Sequence, residues 1–179
     1  MKNSNQNLVT LVDENNNDKG NMDKMEAHKR GELHRAISVF IFNTKGEWLL
    51  QRRAFGKHHS NGLWTNACCS HPIPGESAFE AANRRLMEEM GMKAQLKEIF
   101  TFTYKTEVDN NLIEHELDHV FLGITDDTPE INLQEVQDWR YINYPELCNE
   151  VDKNPDAFTV WFKMIFNKLN RHTSGVVSK

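Results

Sequence analysis

Residues 36–42 make a β-branched and aromatic run and residues 48–52 read as a second strand, with a turn at 43–46 between them, a pattern that predicts a β-hairpin. Further strands are expected at residues 99–107 and 112–124, separated by a turn at 108–111, and at 138–142. Phe79, Ala82, Leu86 and Met90 recur at steps of three and four, with Arg84 and Glu88 on the outer face and Gly91 as a stop, so a helix is expected there. Pro145 opens a short helix to about Val151. Pro155 opens another in which Phe158, Trp161, Phe162, Ile165 and Leu169 make one apolar stripe. Between the first strands and the first long helix runs a loop, residues 56–75, rich in Gly, His, Ser, Asn and Pro. A loop of that length in a compact domain is usually functional or disordered.

The first thirty residues are rich in Asn, Asp and Lys, with a turn cluster at 13–20. LVTLV (8–12) reads as a short edge strand, and residues 23–29 as a turn of helix. These shifts divide the chain into a polar extension (1–23), one folded domain (24–170) and a polar tail (171–179), without internal repeats. Hairpin strands with intervening helices predict an α/β or α+β sandwich around a mixed sheet.

Composition narrows the function. A length of 179 residues with 39% hydrophobic content suits one domain and one core. The longest apolar run, Val39 to Phe42, is far short of the roughly 20 residues of a bilayer span. The N-terminus shows no basic stretch followed by an apolar one, so a cytoplasmic location is expected. The formal charge of −5 has the wrong sign for a nucleic-acid binder, yet a local basic cluster could still hold a small anion. Cys68, Cys69 and Cys148 form an odd set without a C-x-x-C spacing, so free thiols are expected rather than a disulfide framework.

Residues 70–92 read S-x5-E-x7-R-R-L-M-E-E-M-G-M, similar to the Nudix box G-x5-E-x7-R-E-U-x-E-E-x-G-U, where U is bulky and apolar. Glu76, Arg84, Leu86, Glu88, Glu89, Gly91 and Met92 fall on the pattern, while Ser70 replaces the leading glycine and Arg85 replaces a glutamate. The box gathers carboxylates for Mg²⁺, which grips a diphosphate. Exchanging one carboxylate for Arg85 weakens hydrolysis and favours diphosphate binding. The plainer alternative is an amphipathic helix with charge pairs Arg84–Glu88 and Arg85–Glu89.

T-N-A-C-C-S-H-P, residues 65–72, carries a cysteine and a histidine two apart, which could be metal ligands, a catalytic pair or loop residues. In I-E-H-E-L, residues 113–117, a strand places Glu114 and Glu116 on one face. Paired carboxylates repel unless a cation or proton lies between them, or they are simply solvated. With His28, His34 and His71 they form a set suited to Mn²⁺, Zn²⁺ or Mg²⁺. Trp161 could lay its π face beside a cation or serve only in the core stripe.

Taken together, K-M-E-A-H, L-H-R-A-I-S-V-F-I-F-N, T-N-A-C-C-S-H-P, the degenerate box, F-T-Y, I-E-H-E and P-D-A-F-T-V-W resemble type I isopentenyl-diphosphate isomerases, a Nudix-fold family, over about residues 24–166. The resemblance implies a Nudix-like α/β/α sandwich and interconversion of isopentenyl and dimethylallyl diphosphate by protonation and deprotonation. It implies Cys69 and Glu116 as catalytic groups, with Tyr104 assisting. It implies His28, His34, His71, Glu114 and Glu116 around one metal, and Mg²⁺ bridging the substrate diphosphate to Glu89 and the Cys69 carbonyl. Lys24, Arg53, Lys57 and Arg85 would hold the diphosphate. The rival readings are a Nudix hydrolase of a nucleoside diphosphate derivative and a non-catalytic metal-binding module. Oligomeric state is not legible.

Overall fold

The computed structural model describes residues 7–173. In chain order the elements are β1 (Leu8–Val12), β2 (Asp18–Asp23), α1 (Lys24–Arg30), β3 (His34–Phe42), β4 (Trp48–Arg53), β5 (Trp64–Thr65), β6 (Cys68–Ser70), α2 (Ala78–Met90), β7 (Lys97–Val108), β8 (Leu112–Ile124), β9 (Val136–Ile142), α3 (Tyr144–Lys153) and α4 (Val160–Thr173). The strands form one mixed sheet centred on β3.

Along one edge β3 runs parallel to β8, from His34↔Glu116 to Phe42↔Ile124; along the other it meets β1, β6 and β4 in turn. The expected hairpin of β3 and β4 therefore survives only at its closing pair, Phe42↔Trp48, beyond which β4 pairs with β9. β7 and β8 form the expected antiparallel pair from Lys97↔Leu122 to Val108↔Leu112. Residues 8–23, set apart on composition, form the hairpin β1–β2, and β1 touches β3 at Leu11↔His34. Of the expected tail, residues 171–173 continue α4 and residues 174–179 lie outside the described part.

Strand alternation distributes the side chains to two layers. Ile37, Val39, Ile41 and Phe121 pack with Ala82, Leu86 and Met90 of α2. Phe40, Phe42 and Val120 pack with Leu147 of α3 and Phe162, Ile165 and Leu169 of α4. The result is an α/β/α sandwich. The α2 helix starts at a capping box, Ser77 with Glu80, and ends where Gly91 takes φ 63°. Its inward face differs from the expected one at Phe79, which is 52% exposed, because Ala81 and Glu89 turn inward beside Ala82, Leu86 and Met90. Among the described residues no helix is long and apolar enough to cross a membrane.

Candidate active site

On the α4 face of the sheet, residues of even number on β3 and β8 change character along the strands. Phe40, Phe42 and Val120 lie under α4, whereas His34, Ser38, Glu114, Glu116 and Asp118 occupy the other end of that face, all nearly inaccessible to solvent. A buried polar end needs partners, because unpaired polar groups away from water are costly. The sheet supplies them through register. His34 and Tyr104 both lie opposite Glu116, on β3 and β7 respectively.

Helix α1 supplies another imidazole. Asp23 caps its start, accepting from the N–H groups of Met25 and Glu26, and His28 follows Lys24 by one helical turn. The Nδ1–H of His28 donates to the Lys24 carbonyl at 2.7 Å, and that of His34 donates to the Glu32 carbonyl at 2.8 Å. A carbonyl can only accept, so both tautomers are fixed and both Nε2 atoms keep a lone pair. Those two Nε2 atoms are buried without a hydrogen-bond partner. They lie 4.0 and 3.6 Å from Glu116 Oε1, and His71 Nε2 lies 2.9 Å from the same oxygen. Outward-held imidazole lone pairs around a carboxylate fit a divalent cation.

The structure thus brings His28, His34, His71 and Glu116 into one set of donor atoms within 4.8 Å of one another. Glu114 belongs to an adjoining set with His28 and His59. The Tyr104 hydroxyl bridges the two carboxylates, donating to Glu116 Oε2 at 2.7 Å with Glu114 Oε2 at 3.1 Å. Exposures of 4% and 7% for Glu114 and Glu116 remove the alternative of two solvated side chains. Burial, and then the charge of Glu116, push the Glu114 carboxyl well up. At Glu116 burial acts in the same direction, but the adjacent His34 and His71 imidazoles outweigh it and hold the carboxyl well below its usual range. Burial depresses the basicity of both His28 and His71, which keeps the rings neutral and able to ligate.

Cys69 approaches from β6, on the opposite side of β3 from β8. Alternation separates the adjacent thiols: Cys68 packs in the α2 core, while Cys69 faces α4. The Cys69 Sγ–H donates to Asn66 Oδ1 at 2.9 Å, and Sγ accepts from Trp161 Nε1 at 3.0 Å. The indole also donates to Thr65 Oγ1 at 3.0 Å, and Ser38 Oγ lies 3.6 Å from the sulfur. This gives T-N in the loop motif a physical role: Thr65 and Asn66 are the hydroxyl and amide that fix Trp161 and the thiol. Burial, with the nearby Asp118 carboxyl adding to it, pushes the Cys69 thiol up to about 12, so Cys69 stands as a thiol.

Lys24, Arg53, His59, Cys69, His71, Tyr104, Glu114, Glu116 and Trp161 line one small pocket of about 40 Å³. Lys24 and His71 also border a larger cleft of about 570 Å³, together with Lys57, Arg84 and Arg85. Burial, reinforced by Arg85 and Arg53, lowers the Lys24 ammonium, and burial lowers Lys57 to about 8 against the opposing pull of Glu89. Crowded cations of this kind are relieved by a polyanion.

Trp161 is both a buried member of the α4 stripe and a wall of the pocket, with the Arg53 guanidinium 5.1 Å from its ring centroid. Glu89 stands apart from the histidine cluster. Its oxygens accept from Arg85 Nη2 at 2.6 Å and from Gln51 Nε2 at 2.9 Å. The box arginine Arg84 forks onto Glu76 at 2.7 and 2.8 Å, and the helix pairs Arg84–Glu88 and Arg85–Glu89 are both formed.

Sequence reasoning did not select His59, Ser38, Asp118, Gln51 or Glu135, the last of which pairs with both Lys57 and Arg85. For Ser38 and Asp118, the signal available was their place on the same strand faces as His34 and Glu116.

Comparison with known proteins agrees with this architecture. Residues 32–162 match the NUDIX domain family. A protein of Pectobacterium atrosepticum named isopentenyl-diphosphate Delta-isomerase is 52% identical over 161 residues, covering 90% of each chain. A protein of Aromatoleum aromaticum named isopentenyl-diphosphate Delta-isomerase 2 is 48% identical, covering 90% of this chain and 85% of its own. Among solved structures, DR0079 of Deinococcus radiodurans superposes with a TM-score of 0.69 at 17% identity, covering 82% of this chain and 89% of that one; this likeness bears on the fold alone.

Proposed function

The chain belongs to the isopentenyl-diphosphate Delta-isomerases built on a NUDIX domain, and from that premise we propose that Cys69 and Glu116 exchange protons with the substrate from opposite sides of β3. The protein is an isomerase that interconverts isopentenyl and dimethylallyl diphosphate. The observation carrying the residue assignment is that a thiol and a carboxylate from the two strands flanking β3 line one buried pocket. Strands two apart in a sheet are separated by roughly 10 Å, enough to admit a flat five-carbon skeleton between the groups they carry.

An unactivated alkene is a very weak base, so protonating it requires an acid held against it where water cannot compete. In the direction toward dimethylallyl diphosphate, Glu116 delivers a proton to the terminal carbon, and Cys69 as thiolate removes one from C2. The Tyr104 hydroxyl steadies the Glu116 carboxylate, and the Trp161 ring faces the tertiary cation. With Cys69 a thiol and Glu116 a carboxylate, the exchangeable proton lies on sulfur, the arrangement needed for the reverse direction. The forward reaction needs that proton on the carboxylate side.

Lys24, Arg53, Lys57 and Arg85 hold the diphosphate, the first two reaching from the small pocket and the last two from the cleft. His28, His34, His71 and Glu116 would hold one divalent cation, Mn²⁺, Zn²⁺ or Mg²⁺, with Glu114 beside them. Glu89 and the Cys69 carbonyl would hold Mg²⁺ that accompanies the diphosphate. When bound, these ions supply positive charge that orients the carboxylates and the diphosphate. The hydrolase reading is disfavoured by Arg85, which places a cation where the box has a carboxylate and pairs with Glu88 and Glu89. Three free cysteines support a reducing, cytoplasmic setting for the reaction.

Stripping divalent cations with a chelator is expected to abolish turnover of isopentenyl diphosphate, and adding back Mg²⁺ with Mn²⁺ or Zn²⁺ to restore it. Turnover that survives the chelator, with the metal content verified as nil, contradicts the cation assignment.

A further inference from the structure

One buried side chain in the site has no role in the assignment above. His59 enters the chamber from the loop between β4 and β5 and is only 8% exposed. Its Nε2 lies 3.4 Å from Glu114 Oε1, and its Nδ1 lies 3.2 Å from Ser60 Oγ. Its ring stands edge-on to Trp161, with centroids 5.8 Å apart and planes at 84°. Its carbonyl accepts from Arg53 Nη2 at 3.2 Å. Its donor atom groups with those of His28 and Glu114 within 4.8 Å, and the His28 Nε2 of that group is buried and unpartnered.

The loop conformation that brings His59 there is held by specific bonds. Ser60 adopts φ +53°, a left-handed backbone that a residue with a Cβ rarely takes unless its surroundings fix it. The turn joining β7 to β8 provides that restraint. Asp109 Oδ2 accepts from the Ser60 N–H at 2.9 Å, and Asn110 Nδ2 donates to the His58 carbonyl at 2.8 Å. A strained backbone clamped on both sides of one side chain indicates that the placement of that side chain is specified.

We propose that His59 is a positioning residue, whose Nε2–H holds Glu114 while its ring edge sets Trp161. The Ser60 hydroxyl, donating to Nδ1, leaves the proton on Nε2. The Glu114 carboxyl then has a neighbour at each oxygen, His59 Nε2 at 3.4 Å from Oε1 and the Tyr104 hydroxyl at 3.1 Å from Oε2. Outer partners of this kind orient ligands, and their loss commonly weakens metal affinity or activity by about 10–100-fold. Through the Trp161 contact, the same side chain ties the cation chamber to the wall that lies against Cys69. The inference rests on the metal and isomerase assignments made above.

Its test compares His59→Ala, His59→Phe and His59→Gln in the full chain. Affinity for Mn²⁺ alone is measured by competition with a chromophoric chelator, and kcat and KM are measured with isopentenyl diphosphate. His59→Ala and His59→Phe lack the donor and are expected to weaken Mn²⁺ binding about tenfold or more. They should lower kcat while KM stays within about twofold, since the diphosphate-holding groups are untouched. The glutamine amide carries its N–H near the position of Nε2, so His59→Gln should recover most of the lost affinity. Equal affinity across wild type, His59→Ala and His59→Phe overturns the proposal. So does a His59→Gln protein as weak as the other two while thermal melting shows all three folded. If wild-type protein fails to bind Mn²⁺, the metal assignment itself is refuted before any variant is compared.

Discussion

Cys69→Ala is expected to reduce isomerisation by about 10⁴-fold, because it removes one of two proton-transfer groups and leaves no nearby substitute. Cys68→Ala, one residue away, should retain activity within about threefold, since substitutions outside the reacting machinery act mainly through stability. The difference follows from strand alternation. Cys68 is fully buried against the α2 core, and Cys69 is held by Asn66 and Trp161 in the pocket. Truncating Cys68 costs stability instead, on the order of 1 kcal/mol for the small void left. Parallel measurement of kcat and of thermal melting separates the two effects. Comparable losses of kcat in both variants contradict the assignment of the thiol.

The second large effect is expected at Glu116. Replacing it by glutamine keeps the size of the side chain but removes the charge that faces three imidazoles, with Nε2 atoms at 2.9, 3.6 and 4.0 Å. It also exchanges an acceptor for an amide where Tyr104 donates or where the histidines converge. A fall in kcat of about 10³-fold is expected from the lost acid–base group. Weaker cation binding, by about 10–100-fold, should accompany it. Measuring turnover and metal content on the same preparation checks both. A Glu116→Gln enzyme with more than a tenth of wild-type kcat would place the proton donor elsewhere.

Much of this site was legible before the fold. Alternation in I-E-H-E-L placed Glu114 and Glu116 on one face, and the structure buries both together. The expected apolar stripe is buried from Phe158 to Leu169, although α4 starts only at Val160 and Phe158 precedes it in extended backbone. What could not be read is long-range pairing. Local patterning joins β3 to β4, but β3 spends its length beside β8, and only that parallel register sets His34 opposite Glu116. Nor could the loop of residues 56–75 reveal His59, because its conformation depends on Asp109 and Asn110, about fifty residues away along the chain. The contact of Glu89 with Gln51 of β4 is likewise a pairing across the fold that no local pattern announces. Periodicity reports which face a residue occupies; it does not report which strand will lie alongside.

The central claim, two proton-transfer groups on opposite sides of the substrate, is tested most directly by isomerisation in D₂O with Mg²⁺, followed by NMR. Delivery from a solvent-exchanged Glu116 and removal by Cys69 predict dimethylallyl diphosphate with deuterium in the methyl group derived from the terminal alkene carbon. Product whose new methyl hydrogen comes from the substrate's own C2 would mean that a single group carries the proton across, and release of inorganic phosphate would mean hydrolysis; either result contradicts the account.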